Sequence, residues 1–203
     1  MAKTKKTKKM RNKKEKRNRS TDIELRELEE GKNRTIGGYA LKYSQRSEIL
    51  TDYWGDEFVE EFAAGAFDKS LKERNQKALW NHKSELPLGS VKSGTLRFNS
   101  DSTGLNYDID LPNNSWGDDA LESIKRGDVD GSSFAFTVID DKWSEVEIEG
   151  RTILKRTVLE AEINEVSPCT FPAYSSSEIK TRSLKGYKNE KEKRKRLILL
   201  TKI

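Results

Sequence analysis

Gly104–Leu111 carries the cleanest alternation in the chain: Leu105, Tyr107 and Ile109 take turns with Asn106, Asp108 and Asp110. Successive strand side chains point to opposite faces, so this segment reads as a strand buried on one face only. A stronger, more apolar strand pattern occupies Ser132–Ile139. A long polar/apolar strand follows over Ile153–Val166, closed by Pro168 and Pro172, with a turn between the two at Glu149-Gly150. Upstream, Thr35–Tyr43 mixes aromatic and aliphatic residues with two glycines and reads as a bent strand. Gln76–His82 is a short strand ending at the histidine. Gly89–Phe98 is another, and Asn99-Ser-Asp-Ser-Thr103 after it is turn chemistry.

Helical spacing appears in two places. Gly65–Arg74 sets Phe67 and Leu71 four apart, and Gly117–Arg126 presents Ala120, Leu121 and Ile124 before stopping at Gly127. Thr21–Gly31 reads as a short helix or a continuation of the N-terminal tail, and Ser47–Gly65 is rich in acids and aromatics. Strands in mostly antiparallel order with two or three helices define an α+β class. The expected architecture is a small open barrel flanked by helices, with disordered basic tails.

Composition changes this picture at the ends. At 203 residues, with 33% hydrophobic and 36% charged positions, the chain suits one domain plus unpacked tails. Residues 1–20 hold eleven Lys/Arg against Glu15, and residues 188–203 hold seven against Glu190 and Glu192. Of 39 basic and 34 acidic residues, the two ends thus take 18 and three, leaving 21 and 31 between them. The net charge of +5 is therefore two basic ends around an acidic middle. We divide the chain into a basic disordered arm at 1–33, a folded domain at 34–176 and a basic tail at 177–203.

These numbers exclude several classes. An acidic middle is a poor nucleic-acid surface, so nucleic acid is not expected as the main partner. Cys169 stands alone, which rules out an intrachain disulfide, and one His with one Cys makes no His/Cys zinc site. No cofactor or metal is expected, because no phosphate-binding loop or dinucleotide fingerprint is present. No apolar run approaches the ~20 residues of a membrane span, and the basic N-terminus lacks the apolar core of a secretory signal. The expected location is the cytoplasm.

The candidate chemistry starts from His82, the only histidine. Any imidazole base must be that residue. Gly131-Ser-Ser-Phe-Ala-Phe136 supplies hydroxyls on a stiff strand, and stiffness matters because ~1 Å of misplacement can cost about 100-fold in rate. Ser132 shares the phase of the phenylalanines and points to the core. Ser133 shares the phase of Ala135 and Thr137 and is the better nucleophile. Glu160, Glu162 and Glu165 bring carboxylates. In a regular strand the first two share one face and Glu165 takes the other, so spacing alone does not choose among them. Cys169, between Pro168 and Thr170, has the apolar setting of an inert thiol. No Gly-x-Ser-x-Gly elbow is present.

Taken in order, a set of segments resembles the prohead (capsid maturation) protease family of tailed phages, itself distantly similar to herpesvirus assemblins. The segments are Gly38-Tyr-Ala, Ala64-Gly-Ala-Phe-Asp-Lys-Ser-Leu71, Ala78-Leu-Trp-Asn-His82, Gly94-Thr-Leu-Arg97, Gly104-Leu, Ile124-Lys-Arg-Gly-Asp-Val129, Gly131-Ser-Ser-Phe-Ala-Phe136 and Glu165-Val-Ser-Pro-Cys-Thr-Phe-Pro-Ala-Tyr174. The resemblance implies a serine endopeptidase with His82 and Ser133 as base and nucleophile. Assemblins place a second histidine in the third position, and this chain has none. A carboxylate substitutes, with Glu165 as first choice and Glu162 as second. Also implied are backbone N–H donors for the oxyanion, action inside the procapsid in the host cytoplasm, and cleavage of the protease itself. The implied partners are the major capsid protein and its scaffolding segment, or a separate scaffold protein. Self-association is a further candidate. The competing reading is a non-catalytic capsid assembly or scaffold protein that keeps a protease-like fold.

Overall fold

The computed structural model describes residues 15–19, 23–26, 34–170 and 182–200. Eleven strands and three helices are present among them. The strands are β1 (Glu15–Arg19), β2 (Ile23–Arg26), β3 (Thr35–Lys42), β4 (Leu50–Thr51), β5 (Glu57–Phe62), β6 (Lys77–Trp80), β7 (Lys83–Ser90), β8 (Leu96–Ser100), β9 (Gly104–Asp110), β10 (Gly131–Ile148) and β11 (Arg151–Cys169). The helices are α1 (Asp68–Glu73), α2 (Ser115–Lys125) and α3 (Arg182–Leu200).

The class is α+β, as expected, but no barrel closes. One sheet runs β1-β10-β11-β5-β4, with β6 and β7 added where β6 pairs β11; the other runs β2-β3-β9-β8. The two meet through side chains rather than through a shared ladder. Ile36, Leu41, Leu105, Tyr107 and Ile109 from the smaller sheet pack in one core with Phe62, Phe134, Phe136, Val158 and Val166 from the larger. Phe62, Phe67, Phe134 and Phe136 form an aromatic cluster with ring centroids 5.1–6.3 Å apart. Pairs in this range add about 0.5–1.5 kcal/mol beyond the area they bury. The pairing is mainly antiparallel, but β11 runs parallel to both β5 and β6.

The β10–β11 hairpin is the organising element. Its strands are longer than the apolar pattern suggested, because their outer halves are solvated ribbon. The expected turn is in place: Glu149 and Gly150 both have positive φ, which suits a two-residue hairpin loop. Along the ribbon Arg156, buried, bonds Asp141 at 2.7 Å and Glu60 at 3.2 Å and lies over the Trp143 ring. This buried cation thus ties β11 to β10 and β5.

Several boundaries differ from the pattern reading. The strand expected over Gln76–His82 ends at Trp80, and His82 lies in the turn beyond it. The strand expected over Gly89–Phe98 is two strands, because Gly94 takes a positive φ and its N–H closes a turn on Val91. The strand before that turn, β7, is polar and carries Pro87 beside a register shift. Its burial pattern was too weak to register as alternation. Helix α2 begins at an Asn114 cap and ends near Gly127 at φ +76°, close to the spacing-based expectation.

Both charged ends hold structure. Within Thr21–Gly31, Ile23–Arg26 is strand rather than helix, because pairing with β3 satisfies its backbone. The remainder of that segment lies outside the described residues. Upstream of the expected start near Arg34 there is also β1, laid along β10. In the basic tail, α3 spans Arg182–Leu200 and Lys188 pairs with Asp56 at 2.6 Å. No described helix is long and apolar enough to cross a membrane.

Candidate active site

The site is built where β6, β10 and β11 lie side by side. Strand β6 turns into β7 through Asn81 and His82, flanked by the paired Trp80 and Lys83. Both turn residues have positive φ, +50° and +60°. That is the signature of a type I′ hairpin loop, which favours Asn followed by Gly. Histidine in the glycine position costs about 1–2 kcal/mol of backbone strain, and such strain tends to collect at functional sites. The turn is pinned to the end of β11: the Asn81 N–H donates to the Pro168 carbonyl at 3.1 Å, and Asn81 Oδ1 accepts from the Thr170 N–H at 3.1 Å.

This turn aims the imidazole at β11. His82 Nδ1 lies 2.9 Å from Glu165 Oε1, and Ser167 Oγ donates to Glu165 Oε2 at 2.8 Å. Glu165 is 2% exposed. An ionised carboxylate only accepts, so Nδ1 is the donor in this pair. Nε2 is buried and has no hydrogen-bond partner among the described residues.

Ser133 is fully buried on β10, directly opposite Ser167 on β11, and Ala135 is opposite Glu165. Directly paired residues of adjacent strands project to the same face. Ser133, Ser167 and Glu165 therefore share the face on which His82 meets Glu165. Ser132 points the other way, as its phase required: its hydroxyl bonds Tyr107 Oη in the core between the sheets.

The carboxylate geometry corrects one expectation. Ala135 pairs with Glu165 but Phe136 pairs with Ile163, so Asn164 is an extra residue on β11. This bulge resets the phase and brings Glu162 and Glu165 to the same face, where a regular strand would have opposed them. Glu162 is nonetheless outside the site. It pairs with Arg74 near the surface, and Glu160 pairs with Lys69 at 3.3 Å. Cys169, buried opposite Gly131, has its thiol pushed up to about 11 by burial and by the nearby Glu165 charge. It stays protonated at neutral pH. Ser167 was not singled out by pattern reading. Its only sequence signal is its position two residues after Glu165, on the same strand face.

A hydroxyl, an imidazole and a buried carboxylate on one sheet face make the side-chain set of a serine hydrolase. The chain belongs to the caudovirus prohead serine protease family, whose sequence profile matches residues 21–192. That span contains every residue of the site. Membership makes the chain a serine peptidase of phage capsid maturation. No curated protein and no solved structure matches it.

Proposed function

We propose that Ser133, His82 and Glu165 serve as nucleophile, general base and orienting carboxylate of an endopeptidase working inside the procapsid. Its substrates are the scaffolding part of the major capsid protein, or a separate scaffold protein, and the protease itself. The observation that carries this reading is the His82–Glu165 pair at 2.9 Å, with Ser133 on the neighbouring strand and on the same sheet face as Glu165.

The chemistry follows from those atoms. His82 Nε2 takes the proton of Ser133 Oγ as the oxygen attacks a peptide carbonyl carbon. The C–N bond then breaks, and the imidazolium returns that proton to the departing amine, leaving an ester on Ser133. Water attacks the ester with Nε2 again as base, releasing the new carboxyl terminus and restoring the serine. Glu165 stays ionised throughout. It holds the tautomer and stabilises the imidazolium. Backbone N–H groups are the proposed oxyanion donors, worth about 3 kcal/mol each.

The test is co-expression of the chain with the major capsid precursor of its phage, wild type against Ser133→Ala, read by intact mass of the capsid protein. Shortened capsid protein with wild type and full-length precursor with Ser133→Ala is the expected result. Normal processing by Ser133→Ala overturns the assignment and favours a structural role for the fold.

A further inference from the structure

The chain's own N-terminal arm lies along the strand that carries Ser133. Strand β1 pairs antiparallel with β10, setting Glu15 against Phe136, Lys16 against Ala135, Arg17 against Phe134, Asn18 against Ser133 and Arg19 against Ser132. In the larger sheet β1 is the outermost strand on this side, so its removal turns Ser132–Phe136 into a free edge. A free edge offers a row of unpaired N–H and C=O groups, the usual receptor for an extended peptide. Along the described arm the paired stretch of β10 runs from Ser132 to Phe136 and includes the candidate nucleophile. The arm is also held close to it, since the Ile23 N–H donates to the Asp130 carbonyl at 3.0 Å.

Adjacent strands lie about 4.8 Å apart, and a nucleophile attacks from about 3–3.5 Å. A peptide laid on this edge places the bonds flanking its residue opposite Ser133 nearest the hydroxyl. In the arm those bonds flank Asn18. The family match begins at residue 21, so β1 lies upstream of it.

We infer that the Ser132–Phe136 edge of β10 is the substrate-binding edge, taking an extended polypeptide antiparallel to β10, and that β1 is its intramolecular occupant, which must leave before another chain can be cut. This rests on Ser133 being the nucleophile. A tethered strand competes at high effective concentration, so it raises the apparent KM by the inverse of the fraction of molecules with a free edge.

The experiment uses the full chain and the purified capsid precursor. In an antiparallel ladder alternate residues donate, so Lys16→Pro with Arg17→Pro removes at least one ladder donor and unseats the arm. The double variant is expected to cleave with a KM about tenfold lower and an unchanged kcat, as expected for an edge about 90% occupied in the wild type. A synthetic peptide of residues 12–22 is then expected to restore the higher KM competitively. Independently, in the Ser133→Ala chain, adding precursor is expected to speed amide hydrogen exchange at Glu15–Arg19 while Ser132–Phe136 stays protected. Cleavage beside Asn18 that disappears in Ser133→Ala also supports the inference, because it requires the arm in the substrate's position. An unchanged KM in the double variant, inhibition by the peptide through kcat alone, or arm exchange indifferent to precursor overturns it. Turnover that survives Ser133→Ala removes the nucleophile assignment itself, whereas turnover lost in Ser133→Ala beside an indifferent arm removes only this inference.

Discussion

His82 is held by two opposing demands. Its backbone sits at φ +60°, where a side chain is strained, and its ring is anchored to a buried carboxylate. Glycine would relax the turn and remove the chain's one imidazole. The carboxylate's part can be separated from simple folding by Glu165→Gln, which keeps size and a hydrogen-bonding side chain but removes the charge that stabilises an imidazolium. That variant is expected to lose about 10³–10⁴ in kcat with KM little changed, measured by capsid-precursor cleavage. Equal kcat in Glu165→Gln would dismiss the orienting role. Cys169 offers a pH test on the same sheet face. Its folded-state pKa of about 11 lies above the ordinary 9.0, so the unfolded chain loses the thiol proton first. This contribution to stability is complete below pH 9 and is lost as pH rises toward about 11. Thermal melts across that window should fall more steeply for wild type than for Cys169→Ala. Parallel curves would show that the thiol is not shielded.

Among the elements, the β10–β11 hairpin decides which side chains can meet. Its bulge at Asn164 is invisible to a period-two reading, which opposes Glu162 and Glu165 only where the strand stays regular, whereas Ser133 lies before the bulge. Up to Ala135 the ladder is regular and phase alone suffices. Beyond it the register depends on cross-strand pairing. A related tight point lies in the smaller sheet. A Cβ on Gly104 would come within 2.1 Å of the Leu41 carbonyl oxygen, at the end of β3 where its register with β9 has shifted. Gly104→Ala is therefore expected to destabilise the fold by about 2 kcal/mol or more in urea titrations, because backbone on both sides must move. A loss under about 0.5 kcal/mol, typical of a free surface position, would mean that the two strands can separate there.

For the whole molecule, charge and topology carry different information. The two basic ends were legible from counting, and reading them as unstructured tails was the natural consequence of their composition. Yet β1 and β2 lie in the first and α3 in the second. β2 alternates Ile23 and Leu25 with Glu24 and Arg26, whereas β1 and most of α3 carry no apolar pattern and are placed by pairing or ion contacts with the body. Lys188 and Lys191 of α3 reach Asp56 and Glu145. These pairs are partly exposed, so each is worth no more than about 1 kcal/mol.

Local pattern alone established the α+β class, a helix over Gly117–Arg126 that the structure places at Ser115–Lys125, the buried phenylalanine pair and the phase of Ser133 opposite to them, because each depends on neighbours within a few residues. Only the tertiary structure set Glu165 against His82 and Glu162 against Arg74, moved His82 from a strand end into a strained turn, kept the sheets from closing into a barrel and laid the arm against β10. These features rest on backbone hydrogen bonds between segments far apart in the chain, and side-chain periodicity does not encode which distant edge a strand will pair with.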